Sequence, residues 1–219
     1  MINLTLIKES LPILLQGTII TLQIALLGAL LGILLGTILG VMQTSRQKWL
    51  RWLVTFYVTL IRGTPMLIQI TFAFYILPQF GIQLPALWVS IVAIGLNSAA
   101  YVSQIIKAGI RSIGRGQIEA GKVLGLSTMQ ITRFILLPQA FRVVIPALGN
   151  EFITLIKDSS LASTIGVIEL TKTGIFIRGR TFDAVTAFTA VALIYLIITT
   201  SLSLAINWFE QRMNRHARH

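Results

Sequence analysis

Seven polar side chains in this chain stand in or beside long apolar runs: Arg62, Asn97, Tyr101, Gln104, Glu151, Asp158 and Ser160. In such surroundings an amide or a charge is rare without a task. Their types suit recognition of a polar solute by hydrogen bonds and charge, not the making of bonds. Asn97, Tyr101 and Gln104 are four and three residues apart, so they share one helix face, either for contacts between helices or for a solute. Glu151 falls about 25 Å beyond Phe134 on a continuous helix, in the middle to outer half of a bilayer. It either pairs with a base such as Arg62 or Lys157, or receives the amino or cationic group of a solute. Arg62 lies about 16 Å along a helix that starts at Arg51. It is either a charge in the translocation path or a lock between helices, or it snorkels to the surface from an interfacial helix.

Other chemistry is imitated or missing. Residues 116–123, GQIEAGKV, come within one residue of the phosphate-binding pattern GxxxxGK[ST]. Val123 has no hydroxyl to hold magnesium, and no strand precedes the loop, so nucleotide chemistry is expected on a partner. Zinc spacing, a nucleophile elbow, a dinucleotide fingerprint and catalytic carboxylate pairs are all absent, and no enzyme activity is expected from this chain alone. With no cysteine there is no disulfide framework or thiol metal site. His216 and His219 read as part of a disordered tail and not as metal ligands.

The elements that must position the polar residues are membrane spans. The 219 residues are 55% hydrophobic and 11% charged, against about 25% charged in a typical soluble domain. The net charge of +11 is divided among short basic clusters between apolar runs, which argues against nucleic-acid binding. Five spans are expected, at about 11–42, 53–77, 87–110, 134–156 and 185–209, forming one all-α integral membrane domain over 1–219. The opening residues lack a basic n-region, so the first span is expected to be retained. That span carries Gly28, Gly32, Gly36 and Gly40 at a spacing of four, a ridge for close helix packing within one subunit or between two. Trp49, Trp52, Phe56 and Tyr57 suit a membrane interface, Gly63 and Pro65 mark a kink, and Pro138 and Pro146 interrupt the fourth span. Residues 157–183 form a mixed segment in which 161–170 is apolar enough to fold back against the bundle.

Basic residues order the topology. Lys107, Arg111 and Arg115 precede a short polar segment at 117–126 and Arg133 follows it, which places the loop 111–133 in the cytoplasm, the N-terminus outside and the C-terminus inside. Arg212, Arg215 and Arg218 then form a tail able to meet anionic lipid. Within the loop, 117–126 has the pattern of a short helix with an apolar patch of Ile118, Val123 and Leu126, ended by Gly125.

Here the sequence resembles a known family. Glu119-Ala120-Gly121, then Gly125 and Leu137-Pro138, resemble the EAA loop of bacterial ABC importer permeases. Arg62-Gly63-Thr64-Pro65, Asn97 to Tyr101, Gly116 to Ser127, and Asn150-Glu151 through Lys157-Asp158-Ser159-Ser160-Leu161 to Glu169-Leu170 are similar to polar amino acid permeases for histidine, arginine and glutamine. Gly121 replaces the usual Ala, and Gln104 stands where a Glu is expected. The resemblance implies a type I importer permease fold in the bacterial inner membrane, paired with a second copy or a homologous permease. Glu119, Ala120, Gly121, Gly125 and Leu126 would couple to two copies of an ATPase that carries ATP and magnesium. An extracytoplasmic binding protein would deliver the amino acid. Asn97, Tyr101, Gln104, Glu151, Asp158 and Ser160 would contact the substrate, with Arg62, Pro65 and Pro138 structural or gating. Glu151 and Asp158 favour arginine, lysine or histidine, with glutamine or another polar amino acid as the alternative. A non-ABC membrane component of structural or export type is the remaining alternative.

Overall fold

The computed structural model describes residues 2–215; the tail residues His216, Arg218 and His219 fall outside the described residues. Among the described residues all regular structure is helical. Helix α1, Leu4–Thr44, starts earlier than the apolar run at 11 because Asn3 caps it, its Oδ1 accepting the Leu6 N–H at 3.1 Å. At 41 residues it is about 60 Å long.

The glycine ridge of α1 seats helix α4, Ala86–Arg111. Gly28 faces Ile94, Gly32 faces Ser98, Gly36 faces Val102 and Gly40 faces Ile106. The partner number rises by four with each glycine, so α1 and α4 run parallel in register, and the ridge packs within the subunit. A methyl group at Gly36 would lie 2.6 Å from Val102 Cβ and 2.8 Å from the Ala99 carbonyl oxygen, with backbone on one side unable to yield. Gly36→Val is therefore expected to lower stability by about 1–3 kcal/mol. Gly179→Ala, where nothing lies within 4 Å, is expected to change it by less than about 0.5 kcal/mol in either direction. Thermal unfolding of the detergent-solubilised chain checks both, and equal midpoints would contradict the packing account.

The second span is not one kinked helix over 53–77. Helix α2, Lys48–Arg62, and helix α3, Met66–Ile76, meet at an angle of 100°. Pro65 lacks an N–H and steers Thr64 away from the helical region. Gly63 accepts the tight end of α2, since a methyl there would come 2.7 Å from the Thr59 carbonyl oxygen. Helix α2 buries Val54 and Val58 and exposes Trp49, Trp52 and Phe56, the last two stacked with ring centroids 5.9 Å apart.

After α4 come helix α5, Arg115–Val123, and a short helix α6, Thr128–Gln130. Ser127 and Gln130 form a reciprocal cap on α6, which continues through a π-helical stretch, Ile131–Leu136, into helix α7, Leu137–Asp158. The wide turn precedes Pro138, whose missing N–H cannot close an ordinary helical turn. The fourth span is thus longer than 134–156, running from Thr128 to Ile165 with the 3-10 segment Ser159–Ile165 at its end. Gly109 of α4 packs directly on Val144 of α7.

Segment 161–170 folds back as expected: Ala162, Ile165, Val167 and Leu170 are all buried, the first three in a core with Ile24, Ile70, Ile94 and Ile156. Helix α8, Leu170–Thr181, is an addition within the mixed segment. Its N-cap Glu169 is 0% exposed and accepts the Lys172 N–H at 2.7 Å, the Thr171 N–H at 2.8 Å and the Tyr195 hydroxyl at 3.1 Å. The polar caps of this buried helix end are thereby satisfied. Asp183 accepts the Thr186 N–H at 2.9 Å, starting helix α9, Ala184–Arg215, and the Thr186 side chain together with this N–H holds the Asp183 carboxyl below its usual range. Among the described residues four helices are long and apolar enough to span a membrane, or five when the bent α2–α3 pair is counted as one span.

Candidate functional site

The break between α2 and α3 opens onto a cavity of about 450 Å³, lined among others by Arg62, Pro65, Asn97, Tyr101, Glu151, Thr154 and Asp158. Three of these come from α7 at spacings of three and four, and at about 100° per residue they lie on one face. Asn97 and Tyr101 bring the polar stripe of α4 to the same cavity. One guanidinium and two carboxylates therefore border one volume large enough for an amino acid.

The charged groups are held in place. The Ser98 hydroxyl donates to Glu151 Oε1 at 3.0 Å, and Ser98 is itself pressed against Gly32, so the α1–α4 packing fixes the partner of the carboxylate. The Arg62 guanidinium sits over the Tyr101 ring, 5.0 Å from its centroid, a cation–π contact that orients it without neutralising it. The hydrogen-bond partner of Glu151 is thus Ser98, while Arg62 borders the same cavity.

Gln104 occupies a different chamber, of about 320 Å³, which shares Arg62, Tyr101 and Glu151 with the first and extends along α4 and α7 to Ala108 and Val143. Its Nε2 donates to Gln43 Oε1 at 3.0 Å and to Ser103 Oγ at 3.1 Å, so it ties α4 to the end of α1. Ser160 is turned away from Asp158 and lines a separate pocket with Lys157, Thr171 and Tyr195. Two residues of separation rotate a side chain by about 200° on a helix, so Asp158 and Ser160 do not share a face.

The residue that the sequence reading missed is Gln69. Its Nε2 donates to the Ile61 carbonyl at 2.6 Å, to Thr64 Oγ1 at 2.7 Å and to the Thr64 carbonyl at 3.1 Å, while its Oε1 accepts from Asn97 Nδ2 at 2.9 Å. An amide four residues past Pro65 in an apolar run was the available signal.

Away from the cavity, the loop helix differs from the pattern over 117–126. Helix α5 occupies Arg115–Val123, and Gly125, with φ of 76°, closes it. The Gly125 N–H bonds the Lys122 carbonyl at 3.0 Å and the Leu126 N–H bonds the Gly121 carbonyl at 3.0 Å. Gly121 is buried against Ile131 and Ile135, whereas Glu119 and Ala120 are exposed. The exposed apolar tip is Val123 and Leu124, at 87% and 77%, while Ile118 and Leu126 are half-buried. Residues 116–123, which imitate a phosphate loop, are helix instead. Pro138 lies at the start of α7, beyond the wide turn.

Comparison with known proteins accords with this arrangement. Residues 32–215 match the family described as binding-protein-dependent transport system inner membrane component. The chain is 40% identical to the L-cystine transport system permease protein TcyB of Bacillus subtilis, covering 96% of this chain and 91% of that one. It is 37% identical to the glutamine transport system permease protein GlnP of Escherichia coli strain K12, over 94% of this chain and 95% of that one. A solved structure described as an amino acid ABC transporter with histidines superimposes with a TM-score of 0.91, at 34% identity and over 97% and 99% of the two chains. This chain belongs to the family of binding-protein-dependent transport system inner membrane components, and within it stands with the permease subunits of amino-acid ABC transporters.

Proposed function

We propose that this permease subunit imports polar amino acids across the bacterial inner membrane, with arginine, lysine and histidine as its preferred cargo. The observation that carries the reading is the charge composition of the cavity, Arg62 with Glu151 and Asp158. A basic amino acid presents one carboxylate and, when its side chain is charged, two cations, so each of its charges meets an opposite one. Glutamine would leave one carboxylate of the cavity without a cation, a costly arrangement in an apolar setting. Asn97 and Tyr101 add neutral contacts at the same wall.

In this reading the subunit pairs with a second copy or a homologous permease, and each α5 seats on one of two ATPase subunits that hold ATP and magnesium. Glu119, Ala120 and the exposed tip at Val123 and Leu124 form the docking surface, and Gly121, Gly125 and Leu126 give it shape. An extracytoplasmic binding protein hands over the amino acid, with the N-terminus of the chain outside and the C-terminus in the cytoplasm. Nucleotide-driven closure of the ATPases then shifts the bundle between two conformations.

The test is ATP hydrolysis by the complex reconstituted with its ATPase and binding protein, with arginine, lysine, histidine and glutamine supplied singly. Stronger stimulation by the basic amino acids than by glutamine is expected. Equal stimulation by glutamine would broaden the cargo to polar amino acids at large, and stimulation by none would overturn the reading.

A further inference from the structure

Gln69 sits where three parts of the cavity wall meet. Helix α2 ends at Arg62, and its last carbonyls have no partner in a following turn. At membrane depth such groups need internal partners. Thr64 Oγ1 supplies one to the Leu60 carbonyl at 3.0 Å, and Gln69 Nε2 supplies one to Ile61 at 2.6 Å. The two N–H bonds of the same amide are shared among Ile61 and the hydroxyl and carbonyl of Thr64, and the amide oxygen accepts from Asn97 on α4. One side chain therefore joins the end of α2, the connecting residue, the first turn of α3 and the polar stripe of α4.

The consequence falls on Arg62. It is the last residue of α2, directly before the 100° break, and it borders the cavity with Glu151 of α7. No ladder of backbone bonds crosses that break; the side-chain bonds of Gln69 and Thr64 cross it instead. Asn97 is 7% exposed, and its amide nitrogen is committed to Gln69 at 2.9 Å. We propose that Gln69 is a positioning residue that sets substrate affinity: it fixes the α2–α3 angle and the orientation of Asn97, and so the spacing between the guanidinium of Arg62 and the carboxylates across the cavity. This rests on the cavity being the place where an amino acid is bound.

The experiment is uptake into proteoliposomes by the whole complex, using whichever amino acid the wild-type complex carries and normalising to assembled complex. Four forms are compared with wild type: Gln69→Leu, Gln69→Glu, Asn97→Ala and the Gln69→Leu/Asn97→Ala double variant. Gln69→Leu removes all the bonds at similar volume. Gln69→Glu keeps an acceptor toward Asn97 but sets an oxygen against the Ile61 and Thr64 carbonyls. Both are expected to raise the half-saturating concentration about tenfold or more, and by a larger factor than they lower the maximal rate. The double variant is expected to be no worse than the poorer single one, because the two residues share one bond.

A loss confined to maximal rate, or additive effects in the double variant, would overturn the positioning role. If Gln69→Leu does not assemble, Gln69→Glu and Asn97→Ala read the same quantity, and an unchanged half-saturating concentration in both overturns it as well. A wild-type complex that carries no amino acid would instead sink the reading of the cavity, a distinct outcome.

Discussion

In a Glu151→Gln complex, uptake of arginine or lysine is expected to need at least about thirty times more substrate for half-saturation, with glutamine much less affected. The substituted amide is nearly isosteric with the carboxylate and still accepts from the Ser98 hydroxyl, so the contact that Ser98 makes at 3.0 Å is kept. What is lost is the negative charge, leaving Asp158 alone to balance two cations against Arg62. Removing one partner from a desolvated charge pair costs about 2–5 kcal/mol. At about 1.4 kcal/mol per tenfold, the lower end corresponds to about thirtyfold. Concentration-dependent uptake with labelled arginine and glutamine measures the split. Unchanged arginine half-saturation would mean that Glu151 is structural, a partner for Ser98 and nothing more.

Leu124→Asp is the second change from which a large effect is expected. Leu124 is 77% exposed and Val123 87% exposed at the end of α5, so neither supports the fold of this chain. A charge at Leu124 should leave insertion and thermal midpoint as they are, yet abolish uptake, because the proposed docking on the ATPase runs through this apolar tip. Truncating a central apolar anchor typically costs about 2 kcal/mol or more, and a buried charge adds to that. Co-purification of the ATPase and uptake by the same preparation are the two readouts. Normal uptake by correctly inserted Leu124→Asp would remove α5 as the docking element. Leu126, which the sequence pattern favours, is half-buried, so its substitution would disturb the loop and confuse the two effects.

How much of this was visible beforehand depends on whether a residue's role is local. The first, third and fifth spans follow from hydropathy, and the glycine spacing in α1 announced a close neighbour, because a four-residue ridge has few other uses. The face shared by Asn97 and Tyr101 was legible from periodicity alone. The 100° break was not: Gly63 and Pro65 declare an interruption, but its angle depends on Gln69 reaching back to Ile61 and across to Asn97. Nor was the separation of Ser160 from Asp158 noticed, although the helical rotation between them is elementary. Glu169 entered as part of a motif, with no sign that it is a buried cap joining α8 to Thr21 and Tyr195, both far away in sequence. The exposed tip keeps Val123 of the expected patch and adds Leu124 in place of Ile118 and Leu126, which reflects where the Gly125 turn falls.

The packing of Gly109 on Val144 also gives the fourth span a fulcrum. About 24 Å of rod separates Val144 from Thr128 at the loop end, and about 10 Å separates it from Glu151. If the rod tilts about that crossing, a push of about 3 Å at the loop arrives at the carboxylate as little more than about 1 Å, in the opposite direction, because the arms are unequal. Such a lever trades travel for force, and the wide turn at Ile131–Leu136 puts compliance in its long arm, between effort and fulcrum.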